Sequence, residues 1–224
     1  VLFRRQRQMC IRDSLIIVRH GQSEWNEKNL FTGWENPGLT QKGIDEAMHA
    51  GDLIKELDIK FDWMFTSALT RAQLTGSIIL EKINQTDIDI IKDEALNERF
   101  YGDLQGLNKD ECRQKWGDDM VQIWRRSYDQ GPPGGETLKD TGERVLPYYL
   151  KEIYPLLLKN MNILIAAHGN SLRSLIKYLE VISDEDIVKL EIPTGAPIHY
   201  SFDEDGNVIT VSYTHLTLPT KQDG

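Results

Sequence analysis

Two stretches of the chain are apolar without a break: Leu15-Ile16-Ile17-Val18 and Ile163 to Ala167. A short continuous apolar run is the pattern of a strand buried on both faces, as in a parallel sheet. Helical and strand patterns alternate between them. Thr40 is placed to cap a helix reaching about Leu57, with Ile44, Ala47, Met48, Leu53 and Ile54 as its apolar face. Phe61 to Thr66 reads as a strand, about Ala68 to Lys82 as a helix, and Ile88 to Lys92 as another strand. Gln22 to Gly38 reads as a loop. Residues 97–135 lack strand signals and read as a surface excursion with short helices, closed by the turn cluster Pro132-Pro133-Gly134-Gly135. Thr137 to Lys159 is helical, with a kink or restart expected at Pro147 and Pro155. A further helix runs from the end of the second apolar run to about Glu180. Ser183 to Asp186 signals one more short helix. Ile198 to Phe202 and Val208 to Val211 flank Asp205-Gly206-Asn207, a hairpin signal.

This alternation predicts an α/β fold: a mainly parallel open sheet with helices on both faces, in three layers α/β/α. Ligands in such folds bind beyond the carboxyl ends of the strands. The expected domain is single and spans 15–211. Residues 1–14, with four arginines but no periodicity, and 212–224 read as extensions outside it.

Composition narrows the class. The chain has 224 residues, 40% hydrophobic and 27% charged, enough to bury a core. A net charge of −9 argues against nucleic acid as a partner, which requires spare Lys and Arg. No apolar run approaches the roughly 18 residues of a membrane span. Two cysteines cannot make a disulfide framework, and a reducing, cytoplasmic setting is expected.

Candidate chemistry gathers at strand ends. Both apolar runs stop at a His-Gly pair, His20-Gly21 and His168-Gly169. In one parallel sheet the two histidines reach the same edge, and each glycine allows a sharp turn and close approach to a ligand. A lone histidine at a strand end is more often structural; a matched pair points to function. Arg19 adjoins the first histidine, Arg71 begins a helix beyond another strand, and Arg125-Arg126 lie in the excursion. Taken singly these are solvated charges. An acidic protein that binds an anion must concentrate its cations, and guanidinium forks match phosphate oxygens. A histidine nucleophile with converging arginines suits phosphoryl transfer. Glu98 follows a strand and could exchange a proton with a substrate hydroxyl. His49 is expected at the surface, His199 on an edge strand, and Cys112 as an unreactive helix-face thiol. No metal cluster stands out.

The string from Leu15 through Val18-Arg19-His20-Gly21-Gln22-Ser23-Glu24-Trp25-Asn26 resembles the signature of the histidine phosphatase superfamily. Further strings resemble its cofactor-dependent phosphoglycerate mutase branch: Phe31-Thr32-Gly33-Trp34, Leu96-Asn97-Glu98-Arg99, Gly106-Leu107-Asn108-Lys109, Trp124-Arg125-Arg126, His168 to Arg173, and Ile192-Pro193-Thr194-Gly195. The likeness covers about residues 15–205.

The resemblance implies a phosphoglycerate mutase-like fold with His20 as the nucleophile that becomes phosphohistidine and His168 as a stabiliser of the transferring group. Arg19, Arg71, Asn26 and Asn170 would complete that phosphate pocket, and Glu98 would be general acid and base. Tyr101, Lys109, Arg125 and Arg126 would hold the substrate's carboxylate and its other phosphate, with close contacts from Ser23, Thr32, Gly33 and Gly169. The implied reaction interconverts 3-phosphoglycerate and 2-phosphoglycerate, primed by 2,3-bisphosphoglycerate and without a metal, in glycolysis and gluconeogenesis. A homodimer or homotetramer is implied. Segment 97–135 would be the lid that keeps water from the phosphoenzyme. Three departures stand out: a short stretch after Arg126, Phe100 where many members carry histidine, and a likeness that fades near residue 211, where the family has a mobile tail. Two alternatives stay open, a phosphomonoesterase of the superfamily and a catalytically silent binder of phospho-ligands. The second would require loss of His20, His168 or Glu98.

Overall fold

A computed structural model describes residues 14–213. Six strands form one sheet: β1 (Ser14–Arg19), β2 (Trp63–Thr66), β3 (Asp89–Lys92), β4 (Ile163–Ala167), β5 (Pro197–Phe202) and β6 (Val208–Tyr213). Their order is β3-β2-β4-β1-β5-β6. The first four strands pair in parallel, while β5 runs antiparallel to β1, and β6 to β5. The sheet is therefore mixed, its parallel part made by the strands the sequence marks as apolar. β5 is an interior strand, so His199 is not on an edge as expected. Its Nε2 lies 2.9 Å from Ser14 Oγ, and burial lowers its pKa. Ser14, Ser212 and Tyr213 were expected in the extensions, yet they pair within the sheet. The rest of both extensions lies outside the described residues.

Successive side chains of a strand point to opposite faces, and here both faces are covered. Leu15, Ile17, Phe65, Ile163 and Ile165 face one core; Ile16, Val18, Met64 and Leu164 face the other. The first core is closed by α6 (Leu138–Tyr148) and α8 (Gly169–Leu179) through Val145, Leu172, Leu175 and Ile176. The second is closed by α2 (Gln41–Lys55) and α3 (Thr70–Lys82) through Ala50, Ile54, Ile79 and Leu80. Burying such side chains, at about 1.5–3 kcal/mol each, is what fixes β1 beside β4.

Thr40 caps α2 as expected, but the buried stripe is Gly43, Ala47, Ala50, Gly51 and Ile54, and Met48 is exposed. Small residues let backbones approach. A Cβ on Gly21 would lie 2.1 Å from Gly43 O, and one on Gly43 would lie 2.1 Å from Gln22 O. Gly21 is thus required by packing of its loop on α2, and its φ is not positive.

The loop expected at 22–38 contains a short helix, α1 (Glu24–Glu27), started by a capping box between Ser23 and Asn26. The kink or restart expected at Pro147 and Pro155 takes the form of a π turn, Tyr149–Ile153, after which the helix continues as α7 (Tyr154–Leu157). A π turn suits a segment whose ladder has lost a donor at Pro155. The excursion holds α4 (Lys109–Trp116) and α5 (Asp118–Arg126), which share a third, small core of Phe31, Leu104, Cys112 and Val121. Cys112 is buried there, and burial raises its thiol pKa, as expected of an unreactive group. Short α9 (Asp184–Ile187) has the Ser183 cap expected. Among the described residues no helix is long and apolar enough to cross a membrane.

Candidate active site

β1 and β4 are in register, Arg19 opposite Ala167, so the next residues emerge together at the carboxyl edge. The rings of His20 and His168 lie with centroids 5.0 Å apart at 61°. A backbone bond from His20 N to Ala167 O, 2.9 Å, ties the two strand ends.

Hydrogen bonds define the His20 tautomer. Nδ1 lies 2.7 Å from Gly21 O, a carbonyl that can only accept, so Nδ1 carries the proton. Nε2 keeps its lone pair and faces Arg71 Nε at 3.4 Å. Burial, then the charges of Arg71 and Arg19, hold the His20 pKa well below 6.5. Burial, Arg71 and His20 do the same for His168. Both rings are therefore neutral near pH 7, as a nitrogen nucleophile must be.

Arg71 is itself fixed, Nη1 donating to Glu35 O at 2.7 Å and Nη2 to Gly33 O at 2.9 Å. Burial lowers its pKa to about 10. Arg19 Nη1 donates to Ile192 O at 2.8 Å, while its buried Nε has no partner among the described residues. Glu98 stands across the cleft. Its Oε1 accepts from Arg99 N at 2.8 Å and from Asn170 N, in the first turn of α8, at 3.1 Å. Burial pushes its pKa up, but those bonds with Arg19 and Arg71 outweigh burial and hold it below the usual carboxylate value. Glu98 is thus ionised in this state and poised as a base. Tyr101 OH accepts from Arg99 Nη2 at 3.1 Å and Asn170 Nδ2 at 3.3 Å, leaving its own proton to donate elsewhere.

One cleft of about 690 Å³, its open mouth included, gathers these groups. Arg19, His20, Asn26, Thr32, Gly33, Arg71, Glu98 and Tyr101 line it. So do Lys109, Arg125 and Arg126 from the excursion, and Gly169 and Asn170 from α8. Two expected residues are not in that wall. Ser23 is buried, its Oγ accepting from Asn26 N at 3.2 Å as the α1 cap. His168 lies fully buried beside His20. A Cβ on Gly169 would meet Arg19 and Glu98 only at 3.5–3.7 Å, so its smallness preserves space in the cleft floor.

The sequence reading missed Arg173 and Glu191, which also line the cleft. Arg173 donates to Asn170 Oδ1 at 2.7 Å and to Leu190 O, and Glu191 pairs with Arg126. It also missed Arg144, whose guanidinium donates to the carbonyls of Ala95, Asn97 and Glu98 at 2.8–3.0 Å and pairs with Glu136. Arg144 thereby shapes the loop that presents Glu98. Spacing offers a late signal for Arg173 alone: it sits one helical turn after Asn170.

Six cations, Arg19, Arg71, Lys109, Arg125, Arg126 and Arg173, face the two carboxylates Glu98 and Glu191. Burial lowers the pKa of Lys109, Arg125 and Arg173, the last to about 10. The arrangement can hold a compact polyanion and pass a group between it and His20 Nε2 while Glu98 takes or returns a proton. No group of three or more His, Cys, Asp or Glu among the described residues is arranged to hold a metal ion.

Burial of neutral histidines makes stability depend on pH. His20, His168 and His199 have folded pKa values below 6.5, so the unfolded chain binds more protons as pH falls. Their contribution is complete above about pH 7 and declines as pH falls through 6.5, by up to about 1.4 kcal/mol per pH unit for each group. Urea unfolding at pH 7.5, 6.5 and 5.5 should show that decline, and His20→Gln with His168→Gln should flatten it. A flat profile in the parent protein would contradict the neutral assignment.

The sequence model of the histidine phosphatase superfamily (branch 1) matches residues 15–214. A 2,3-bisphosphoglycerate-dependent phosphoglycerate mutase of Parvibaculum lavamentivorans is 61% identical over 195 residues, covering 87% of this chain and 93% of the relative. A phosphoglycerate mutase of Schizosaccharomyces pombe is 58% identical over 196 residues, covering 88% and 93%. Among solved structures, Bacillus stearothermophilus YhfR superposes with a TM-score of 0.76 at 25% identity, covering 88% of this chain and 94% of that one.

Proposed function

The chain belongs to branch 1 of the histidine phosphatase superfamily and, within it, to the 2,3-bisphosphoglycerate-dependent phosphoglycerate mutases, and we propose that it interconverts 3-phosphoglycerate and 2-phosphoglycerate in glycolysis and gluconeogenesis. The observation that carries this reading is a single cleft holding His20 with an unprotonated Nε2, an ionised Glu98 and six cations. A substrate of roughly three negative charges needs such a concentration of cations. The donor set also fits 2,3-bisphosphoglycerate, and the unpartnered, buried Arg19 Nε is a donor an added phosphoryl oxygen would satisfy. That molecule, when bound, supplies the phosphoryl group that primes His20.

With His20 phosphorylated on Nε2, Glu98 takes the proton from the 2-hydroxyl of bound 3-phosphoglycerate as that oxygen bonds to phosphorus and the N–P bond breaks. His20 Nε2 then takes the 3-phosphoryl group while Glu98 returns its proton to O3, releasing 2-phosphoglycerate. Arg19, Arg71, Asn26, Asn170 and His168 surround the moving phosphoryl group. Tyr101, Lys109, Arg125 and Arg126 hold the carboxylate and the other phosphate, with Ser23 and Asn26 fixing the loop and Thr32, Gly33 and Gly169 in close contact. Substrate anions beside Arg19 and Arg71 offset part of what holds Glu98 low, so its pKa rises toward a value suited to proton exchange.

The reading carries with it a cytoplasmic setting and a homodimer or homotetramer. Open edge strand β3, with Ile90 and Ile91 each 37% exposed, is consistent with contact between copies. A coupled assay of 3-phosphoglycerate with and without 2,3-bisphosphoglycerate tests the function. Cofactor-stimulated formation of 2-phosphoglycerate is expected; release of inorganic phosphate alone would make the protein a phosphatase.

A further inference from the structure

We propose that Ser67 is a positioning residue that sets the tautomer of His168, so that a protonated Nδ1 is presented to the phosphoryl group. Ser67 lies just beyond β2 and is fully buried. Its Oγ is 2.7 Å from His168 Nε2 and accepts from Leu69 N at 3.1 Å. A hydroxyl has one proton and two lone pairs. Leu69 N–H takes a lone pair, and among the described residues His168 Nε2 is the acceptor within reach of the proton.

The opposite assignment has Nε2–H donating to Ser67. It would leave two groups unpaired, the hydroxyl proton with no acceptor and the Nδ1 lone pair of His168 with no donor. Unmade hydrogen bonds in a buried site are costly. With Ser67 donating, Ser67 is satisfied and one group is left over, the Nδ1–H of His168, which has no partner. A leftover N–H beside a nucleophile is what an anionic phosphoryl oxygen needs; a leftover lone pair would repel it. The two rings thus carry matching tautomers with complementary consequences. In His20, the Gly21 carbonyl fixes Nδ1–H and frees the Nε2 lone pair. In His168, the Ser67 hydroxyl engages Nε2 and frees a donor. β2 is the neighbour of β4 in the sheet, with Thr66 paired to Ala166, so Ser67 and His168, one and two residues further on, leave the sheet at the same edge.

This inference rests on the reading of the cleft as a phosphoryl-transfer site, and its test separates the two. 15N NMR of histidine-labelled full-length protein, without ligand, reports which ring nitrogen of His168 is protonated, independently of activity. The parent protein should show Nδ1 protonated and Nε2 as acceptor. Ser67→Ala should shift that ratio and lower kcat for the mutase reaction by about tenfold to a hundredfold, with little change in KM. Ser67→Thr, which keeps the hydroxyl, should restore both readouts if its Tm matches the parent. Protonated Nε2 in the parent protein overturns the proposal. So does an unchanged tautomer and kcat in a folded Ser67→Ala protein. Should the parent lack mutase activity yet show the expected tautomer and hydrolyse p-nitrophenyl phosphate in a Ser67-dependent way, the substrate assignment fails and this inference stands.

Discussion

His20→Ala leaves a folded protein with no measurable transfer. Removing an obligatory nucleophile lowers turnover by roughly five or six orders of magnitude in enzymes where it has been measured, and no other side chain in this cleft can replace the Nε2 lone pair. His168 is the nearest imidazole, but it is buried and its Nε2 is engaged by Ser67. Arg71 Nε, now facing His20 Nε2, carries a proton and is no nucleophile. Two measurements check the result: 2-phosphoglycerate formation, and incorporation of labelled phosphate into protein from 2,3-bisphosphoglycerate. Both should vanish together while circular dichroism is unchanged. A labelled or active His20→Ala protein would remove His20 from its role.

The second large effect is expected at Glu98. Glutamine keeps the shape and, with its carbonyl oxygen at the Oε1 position, still accepts from Arg99 N and Asn170 N. Lost are the negative charge and the basic oxygen. Turnover should fall by about 10²- to 10⁴-fold, the usual contribution of a positioned proton-transfer group. KM should stay level or fall, because Arg19 and Arg71 lose a competing anion and a polyanionic substrate loses a repulsion. Steady-state kinetics in both directions check this, and a turnover number equal to that of the parent would reject proton transfer by Glu98.

Strands and histidines were legible for one reason. β1 and β4 are buried on both faces, so their apolar runs are uninterrupted, and the polar residue ending each run had to lie at the sheet's edge. Whatever required knowing a partner was not legible. Arg144 looks like any helical surface charge until four loop carbonyls are seen around it. Nothing in the sequence singles out Glu191, because Arg126, with which it pairs, is 65 positions away. Gly21 was assigned to turning and ligand approach, whereas its neighbour is Gly43 of α2, a contact invisible without the tertiary packing. Helix α1 escaped notice because four residues are too few to show a period. The helical face of α2 was misread because its buried stripe is built of Gly and Ala, which hydrophobicity alone ranks below Met48.

Lys109, Arg125 and Arg126 ride on α4 and α5, whose apolar side chains serve a small cluster apart from the two that clamp the sheet. A unit resting on so few buried groups opens at lower free energy than the sheet does. The molecule therefore divides its labour along a mechanical seam. In the reaction proposed above, the grip on a product would slacken, and be remade around the next molecule, while the atoms that make and break bonds to phosphorus hold still. Variation confined to that corner would alter which acid is accepted and leave the bond-making unit intact.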